Sequence, residues 1–231
     1  MRVSTGHVST ADGSAVVKSG NTTIVCGVRA EITTPHPDYP QLGFIVPNFS
    51  FASGSATSSG PSHETQRVTQ YLLDVLDSSG CVNRHELCIE DGERVWVLYV
   101  DLVCLDHNGN IFDSSVTAMV AALQDTKLPS VTFDRETNEI SCSSSKGKSL
   151  NLENKPCSNS YAIFSNSTDP KCPHVVMDPT DEEEELSNSV LSIVTIGENT
   201  ICHMVCPGGD LLTPSILQTA LGLAFRGQKL G

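Results

Sequence analysis

The sequence predicts an α+β fold made of two similar lobes, each a mixed sheet with helices packed on it. Three observations carry this. Apolar, β-branched runs bounded by turn residues recur through the chain, each half runs from hairpins into an amphipathic helix, and the pattern restarts after Leu128-Pro129. The lobes are accordingly placed at 1–129 and 130–231. A chain of 231 residues, 39% hydrophobic and 18% charged, has ample length for a buried core.

Ser14–Thr33 reads as a hairpin: AVVK, the turn Ser19-Gly20-Asn21, then TTIVCGVRAEIT, rich in β-branched residues. Thr34–Ser62 shifts to Pro, Ser and Gly, with apolar interruptions at Phe44–Val46 and Phe49–Phe51. A loop this long is either an interface or a mobile surface segment. Pro61-Ser62 opens a helix with Ser62 as N-cap, Val68, Leu72, Val75 and Leu76 on one face, and Gly80 as its stop. Arg94–Asp106, RVWVLYVDLVCLD, is nearly continuous apolar β-former and predicts a central strand covered on both faces. After an Asn108-Gly109 turn, a helix from Asp113 to about Gln124 places Val116, Met119, Val120 and Leu123 on one face. Ala118, Ala121 and Ala122 predict close packing against a neighbour.

In the second half, Val131–Phe133 and Glu139–Cys142 predict a hairpin around Asp134–Asn138. Tyr161–Phe164 and Val175–Asp178 read as short strands, and Val190–Ile196 with Thr200–Val205 as a further hairpin. Pro207-Gly208-Gly209 is a turn. Thr213-Pro214 opens a last helix whose apolar face is Ile216, Leu217, Ala220, Leu221 and Ala224.

A net charge of −13 argues against unaided binding to a nucleic-acid backbone, which rests on Lys and Arg neutralising phosphates. A local basic patch, or partners that supply the positive charge, would still permit RNA contact. The cysteines, at 26, 81, 88, 104, 142, 157, 172, 202 and 206, are odd in number and several lie in apolar strands. They are read as free thiols in a reducing compartment. Cys202-His203 with Cys206, and Cys172 with His174, come nearest to a metal motif. A strand sends Cys202 and Cys206 to one face and His203 to the other, so no metal site is expected. The N-terminal MRVSTGHVSTADGS lacks the apolar core of a secretion signal, and no window approaches the roughly 18 apolar residues of a membrane span. A soluble, intracellular chain is expected.

The most informative stretch is Val100–Ala122, a strand, a glycine turn and a helix. The first N–H groups of such a helix have no intrahelical partner and sit at the positive end of its dipole, which makes a ready anion site. Here the entrance carries Ile111, Phe112 and Asp113 and no arginine. The framework of a phosphate site is present without the groups that would hold phosphate. The acidic run DPTDEEEE, from Asp178 to Glu185, follows an apolar strand. It reads either as a solvated acidic loop or as paired carboxylates able to hold a divalent metal or act as acid and base. A nucleophilic triad finds no support, since no Gly-x-Ser-x-Gly elbow occurs.

Three stretches, GSAVVKSGNTTIVCGVRAEI, WVLYVDLVCLDHNGNIFDSSVTAMVAALQ and VVMDPTDEEEELSNSVLSIV, resemble successive signatures of the RNase PH family, and CPGGDLLTPSILQ also fits. They run in order from about Ser9 to Gln218. The likeness is to the RNase PH-like ring subunits of the eukaryotic exosome, and the DPT-x-EEE form resembles the class related to the archaeal non-catalytic ring subunit. It implies an RNase PH-like fold whose first lobe is like ribosomal protein S5 domain 2.

Active members of that family are phosphorolytic: phosphate attacks the last RNA linkage and releases a nucleoside diphosphate. Such chemistry needs positive donors on the phosphate and a carboxylate pair near the scissile bond. The family's phosphate contact, a Gly-Gly-Thr-Arg run, falls on Gly109-Asn110-Ile111-Phe112, so the hydroxyl and the guanidinium are both absent. As an N-cap carboxylate, Asp113 would occupy the free N–H groups itself and repel an incoming anion. The arginines of the preceding helix fall on Gln70 and Leu73, and the carboxylate pair on Asp178 and Glu184. Each lost charged hydrogen bond costs about 1.5–3 kcal/mol, so no phosphorolysis is expected. The family's N-terminal arm and strand, with an Arg-Pro-Asp-Gly-Arg run, has no counterpart before Met1, and its last helix continues past Gly231. The chain is therefore expected to be shortened at both ends, with an open sheet edge and little stability alone.

The resemblance implies a non-catalytic structural subunit of the exosome core ring, supporting 3′-to-5′ RNA processing and degradation, including rRNA maturation and mRNA turnover. Implied partners are five other RNase PH-like ring chains, cap subunits with S1 or KH folds, a docked hydrolytic nuclease, and RNA in the assembled channel. No cofactor and no membrane are implied, and the location is nucleus, nucleolus and cytoplasm. Arg67 is the candidate RNA-facing residue, or else part of a solvated helix surface. Two alternatives stand. One is a phosphorolytic or metal-assisted 3′ exoribonuclease using Asp178 and Glu184; the other is a truncated relic that does not assemble.

Overall fold

The structure of the chain, a computed structural model, describes residues 1–52, 61–134, 139–142, 147–164, 174–197, 200–207 and 214–227. The first lobe opens with β1 (Arg2–Thr5), β2 (Gly13–Ser19), β3 (Thr22–Thr33) and β4 (Phe44–Phe51). Helix α1 (Pro61–Ser79), a short 3-10 turn (Arg84–Leu87), β5 (Cys88–Glu90), β6 (Arg94–Asp106) and helix α2 (Ile111–Asp125) follow. The sheet order is β1-β2-β3-β6-β4, with β5 paired to β6. β6 runs antiparallel to β3 and parallel to β4. Val68, Leu72 and Val75 of α1 and Val116, Met119 and Leu123 of α2 share one core with Ile24, Cys26, Leu98 and Leu102 of the sheet.

The N-terminal segment forms a strand where the sequence predicts none. β1 pairs with β2 from Arg2↔Lys18 to Thr5↔Ala15, so the edge predicted to lie open is covered. The predicted loop from Thr34 to Ser62 contains β4. Pro47 interrupts the run of β-formers, but β4 is an edge strand, where a missing N–H is tolerated. Ile45, Pro47 and Phe49 turn inward while Val46 and Asn48 are exposed. Helix α1 begins at Pro61, so Ser62 lies inside the first turn and is not the cap. Proline suits that first position because its missing N–H would have no partner there. Gly80, at φ +56°, closes α1 as predicted. β6 is covered on both faces only over Val95, Trp96, Val97 and Leu98; farther along, Asp101 and Leu105 are exposed.

After α2 the chain forms β7 (Lys127–Leu128), β8 (Val131–Asp134), β9 (Glu139–Cys142), β10 (Lys148–Ser149), β11 (Pro156–Phe164) and β12 (His174–Met177). Helix α3 (Asp181–Leu186), β13 (Ser189–Ile196), β14 (Thr200–Val205) and helix α4 (Pro214–Gly227) complete it. The β8–β9 hairpin forms as predicted, while its turn residues 135–138, Gly208 and Gly209 of the later turn, and Cys172 lie outside the described residues. The second sheet is antiparallel, in the order β12-β11-β13-β14. Ile216, Ala220 and Ala224 of α4 pack on Tyr161, Ile163, Leu191 and Ile193. β7 pairs with β10, and Leu150 and Leu152 pack against the first lobe's core. No helix among the described residues is long and apolar enough to cross a membrane.

α2 lies between the two sheets, touching β2 and β3 on one side and β11 on the other. A helix enclosed this way is buried all round. Its small residues Ser114, Ser115, Ala118, Ala121 and Ala122 are all buried and let both sheets close in. A Cβ on Gly13 would stand 2.7 Å from the Ala122 carbonyl oxygen, so β2 rests directly on the helix backbone. The start of α2 therefore sits at the junction of the lobes.

Candidate functional site

Two left-handed residues frame the site: Asn110, at φ 49°, opens α2, and Asp178, at φ 57°, follows β12. A Cβ on Gly109 would stand 2.5 Å from the Asp181 nitrogen and 2.6 Å from the Pro179 oxygen, so the second lobe lies on the turn's backbone. Thr22 Oγ1 donates to the Gly109 carbonyl at 2.8 Å and accepts from the Asn108 N–H at 3.0 Å, fixing the turn from β3. The Asn110 N–H, at the mouth of the helix, donates to Glu184 Oε1 at 2.6 Å. The Asn110 side-chain amide donates to Asp178 Oδ1. Asp178 and Glu184, the carboxylate pair predicted from the sequence, thus meet on one residue.

The acidic run is a helical turn and not a loop. Thr180 caps α3: its hydroxyl accepts from the Glu183 N–H at 3.4 Å, and Glu183 Oε2 accepts from the Thr180 N–H at 2.9 Å. This capping box leaves Glu182 and Glu185 in solvent and turns Glu184 toward α2. Burial pushes the Glu184 carboxyl up to about 7; the Asn110 N–H opposes the rise, and the negative charges of Asp181, Asp113 and Glu64 add to it. The nearby His107 imidazole is 3% exposed, with Nε2 3.8 Å from Asp181 Oδ1 and 3.9 Å from Glu64 Oε1.

Asp113 is not the helix cap. α2 begins two residues earlier, with Asn110 as its N-cap, and Asp113 is its third residue. Its buried carboxylate reaches the second lobe and accepts from the Ser160 N–H at 2.7 Å, Ser160 Oγ at 2.8 Å and Ser158 Oγ at 2.5 Å. The Tyr71 hydroxyl bonds Ser158 Oγ at 2.9 Å, and Ser192 Oγ bonds Ser160 Oγ at 2.8 Å. Burial raises the Asp113 carboxyl above the usual carboxylate range, and its serine donors oppose that rise. The carboxylate predicted to block the helix start is an interlobe latch, and Glu184 takes that position from the other lobe.

Ile111 turns into the first core. Phe112 packs on Tyr71, with ring centroids 4.5 Å apart, and the Arg67 guanidinium stands 5.7 Å from the Phe112 centroid. Arg67, Gln70 and Phe112 line one groove, while Leu73 is half-buried. Beside the Asn110 turn, a cleft of about 170 Å³ is lined by Ser19, Asn21, Asn108, Asp178 and Thr180, with no cationic side chain. An incoming anion would meet the Asp178 carboxylate there. Among the described residues, no three His, Cys, Asp or Glu side chains are grouped so as to hold a metal ion.

Sequence reasoning misses Asn110, Tyr71, His107 and the serines that hold Asp113. The Gly109-Asn110 pair carries a signal, since asparagine tolerates the left-handed region. Ser158 and Ser160 alternate on one face of β11, a signal visible only once the strand is placed.

Residues 1–129 match the first domain of the 3′ exoribonuclease (RNase PH) family, and residues 155–227 match its second domain. The chain belongs to this family. It is 34% identical over 220 residues to exosome complex component rrp43 of Schizosaccharomyces pombe, covering 94% of this chain and 79% of that relative. It is 32% identical over 225 residues to exosome complex component Rrp42 of Methanothermobacter thermautotrophicus, covering 96% and 80%. An archaeal exosome core superposes with a TM-score of 0.80 at 28% identity, covering 99% of this chain and 83% of that one. The Archaeoglobus fulgidus exosome with RNA bound to the active site gives 0.83 at 28% identity, covering 99% and 85%. The RNase PH fold predicted by the resemblance is the one observed.

Proposed function

We propose that this chain is a non-catalytic structural subunit of an exosome-type ring. One observation carries the reading: the Asn110 N–H, where a phosphorolytic relative would receive phosphate, donates to the chain's own Glu184 at 2.6 Å. The helix start is occupied by the chain's own carboxyl group, Ile111 is in the core, and Phe112 falls where the family resemblance places arginine. Two lost charged contacts at about 1.5–3 kcal/mol each, with carboxylates facing the approach, leave phosphate no hold. The similarity to rrp43 and Rrp42 exosome components supports ring membership. Met177, Ile201 and Met204 are exposed on the two edge strands of the second sheet and suit coverage by neighbours.

In this reading the lobes divide at 129/130, and the partners are other RNase PH-like ring chains, S1 or KH cap subunits and a docked hydrolytic nuclease. RNA passes through the assembled channel, with Arg67 as this chain's contact. The complex acts in 3′-to-5′ RNA processing in nucleus, nucleolus and cytoplasm. A second reading, an exoribonuclease using Asp178 and Glu184, rests on the convergence of both carboxylates on Asn110.

The test pairs an assay with a pull-down. Purified chain, an RNA oligonucleotide, inorganic phosphate and Mg²⁺ or Mn²⁺ should yield no nucleoside diphosphate. Tagged chain should recover other RNase PH-like chains from cells. Nucleoside diphosphate release that vanishes in Asp178→Ala would establish the enzyme, and failure to recover any ring chain would leave a non-assembling relic.

A further inference from the structure

The Asn108-Gly109 turn takes no part in the reading above beyond leading into α2. We propose that it is a self-modification site: Asn108 deamidates through a cyclic imide, and the isoaspartyl product loosens the contact between the lobes. The inference rests on the chemistry of the turn and not on ring membership. Asn-Gly is the most reactive asparagine pair, because glycine puts no side chain beside the attacking nitrogen, and it occurs once in this chain. Asn108 is half-buried and lines the cleft of about 170 Å³ beside the start of α2, so water reaches it. Its side-chain amide makes no hydrogen bond to a described residue, and neither does the Gly109 N–H beside it. Thr22 holds the turn from either side, at the Asn108 N–H and the Gly109 carbonyl, and leaves the peptide between them unheld. Asn110 is the contrast within the same turn: its amide is bound to Asp178, and branched Ile111 follows it.

The reaction needs only the chain and water. The Gly109 nitrogen bonds to Asn108 Cγ, the Cγ–Nδ2 bond breaks, and the Gly109 proton leaves with that nitrogen as ammonia. Water then opens the five-membered imide. Opening at Cγ leaves aspartate; opening at the main-chain carbonyl, the commoner outcome, leaves isoaspartate. Either product adds a carboxylate to a cleft already lined by Asp178. Isoaspartate also reroutes the main chain through the former side chain, adding one carbon between Cα of residue 108 and Gly109. Gly109 has no slack to absorb it, since even a Cβ there would stand 2.5 Å from the Asp181 nitrogen and 2.6 Å from the Pro179 oxygen. The second lobe gives way at the turn, and with it the bond from the Asn110 N–H to Glu184.

The full chain is aged in the folded state at pH 6 and pH 8.5 and mapped by peptide mass spectrometry with fragmentation. Asn108 should gain the mass of an acid in place of an amide, faster at pH 8.5, while Asn110 keeps its mass. An isoaspartyl-specific methyltransferase should label the same peptide. Asn108→Gln, which could close only a slower six-membered ring, should abolish both signals. Aged wild type should melt about 4 °C below fresh protein. Fresh Asn108→Asp, which adds the charge without the extra carbon, should fall less, and aged Asn108→Gln should melt as it did fresh. The proposal is overturned if Asn108 keeps its mass in the folded chain, or if aged wild type melts no lower than Asn108→Asp. Recovery of ring chains with fresh protein tests the structural reading separately, and neither result depends on the other.

Discussion

Glu184→Gln should make the chain more stable above neutral pH. The buried Glu184 carboxyl is raised from 4.5 to about 7. A folded-state value above the unfolded one means that folding takes up a proton. Its contribution is therefore fully present below about pH 4.5 and is lost as pH rises through about 7. At 1.36 kcal/mol per pH unit the gap amounts to about 3 kcal/mol, which the folded chain forfeits at pH 8.5. Glutamine keeps an oxygen for the Asn110 N–H and removes the buried charge. Allowing about 1 kcal/mol for the weaker neutral hydrogen bond, the variant should gain about 2 kcal/mol at pH 8.5, or about 4–8 °C in Tm. At pH 5 the gain should vanish. Thermal melts of both proteins by circular dichroism between pH 5 and 8.5 give the difference directly, with all other titrating groups common to the pair. A difference that stays flat with pH, or one in which the wild type gains on the variant as pH rises, would refute the reasoning.

Asp113→Ala leaves Ser158 Oγ, Ser160 Oγ and the Ser160 N–H without their acceptor, and should cost about 3 kcal/mol or more in urea unfolding; a loss under 1 kcal/mol would dismiss the interlobe latch. Gly109→Ala and Gly20→Ala both place a side chain at positive φ, at 82° and 56°, yet only Gly109 has backbone within 4 Å of the new Cβ. Gly20→Ala should cost about 1 kcal/mol and Gly109→Ala at least 2 kcal/mol more, and equal denaturation midpoints would remove the claimed close approach of the lobes. Thr180→Ala removes a cap worth about 1 kcal/mol and loosens the turn that aims Glu184, so the pH dependence of stability should flatten with it.

Local patterns carried most of the elements. The β2–β3 hairpin, β6, α2 and α4 were legible because each repeats its apolar residues at the period of its own geometry. β4 was not, since Pro47 breaks the run and only an edge position makes it acceptable. Asp178 and Glu184 stood out by charge and family resemblance. Their meeting on Asn110 did not, because the contact joins residues 68 and 74 positions apart. Asp113 shows the same limit from the other side. At a helix entrance an aspartate reads as a cap, yet Ser158 and Ser160, 45 and 47 residues away, claim its carboxylate once the second sheet closes on α2.

The exchange between these two carboxylates explains how the start of α2 is satisfied from within the chain. The first N–H groups of α2 have no partner within the helix and lie at the junction of the lobes. A bound anion could satisfy them. Here the local candidate, Asp113, is drawn away to the second lobe, so the Asn110 N–H needs an acceptor from elsewhere in the fold. Glu184 supplies it at 2.6 Å, and the capping box of α3 with the left-handed turns at Asn110 and Asp178 holds it in place. Placing arginine at Phe112 alone should therefore not create an anion site. The obstacle is a hydrogen bond between the lobes, and it is the same bond that makes the helix start part of the scaffold.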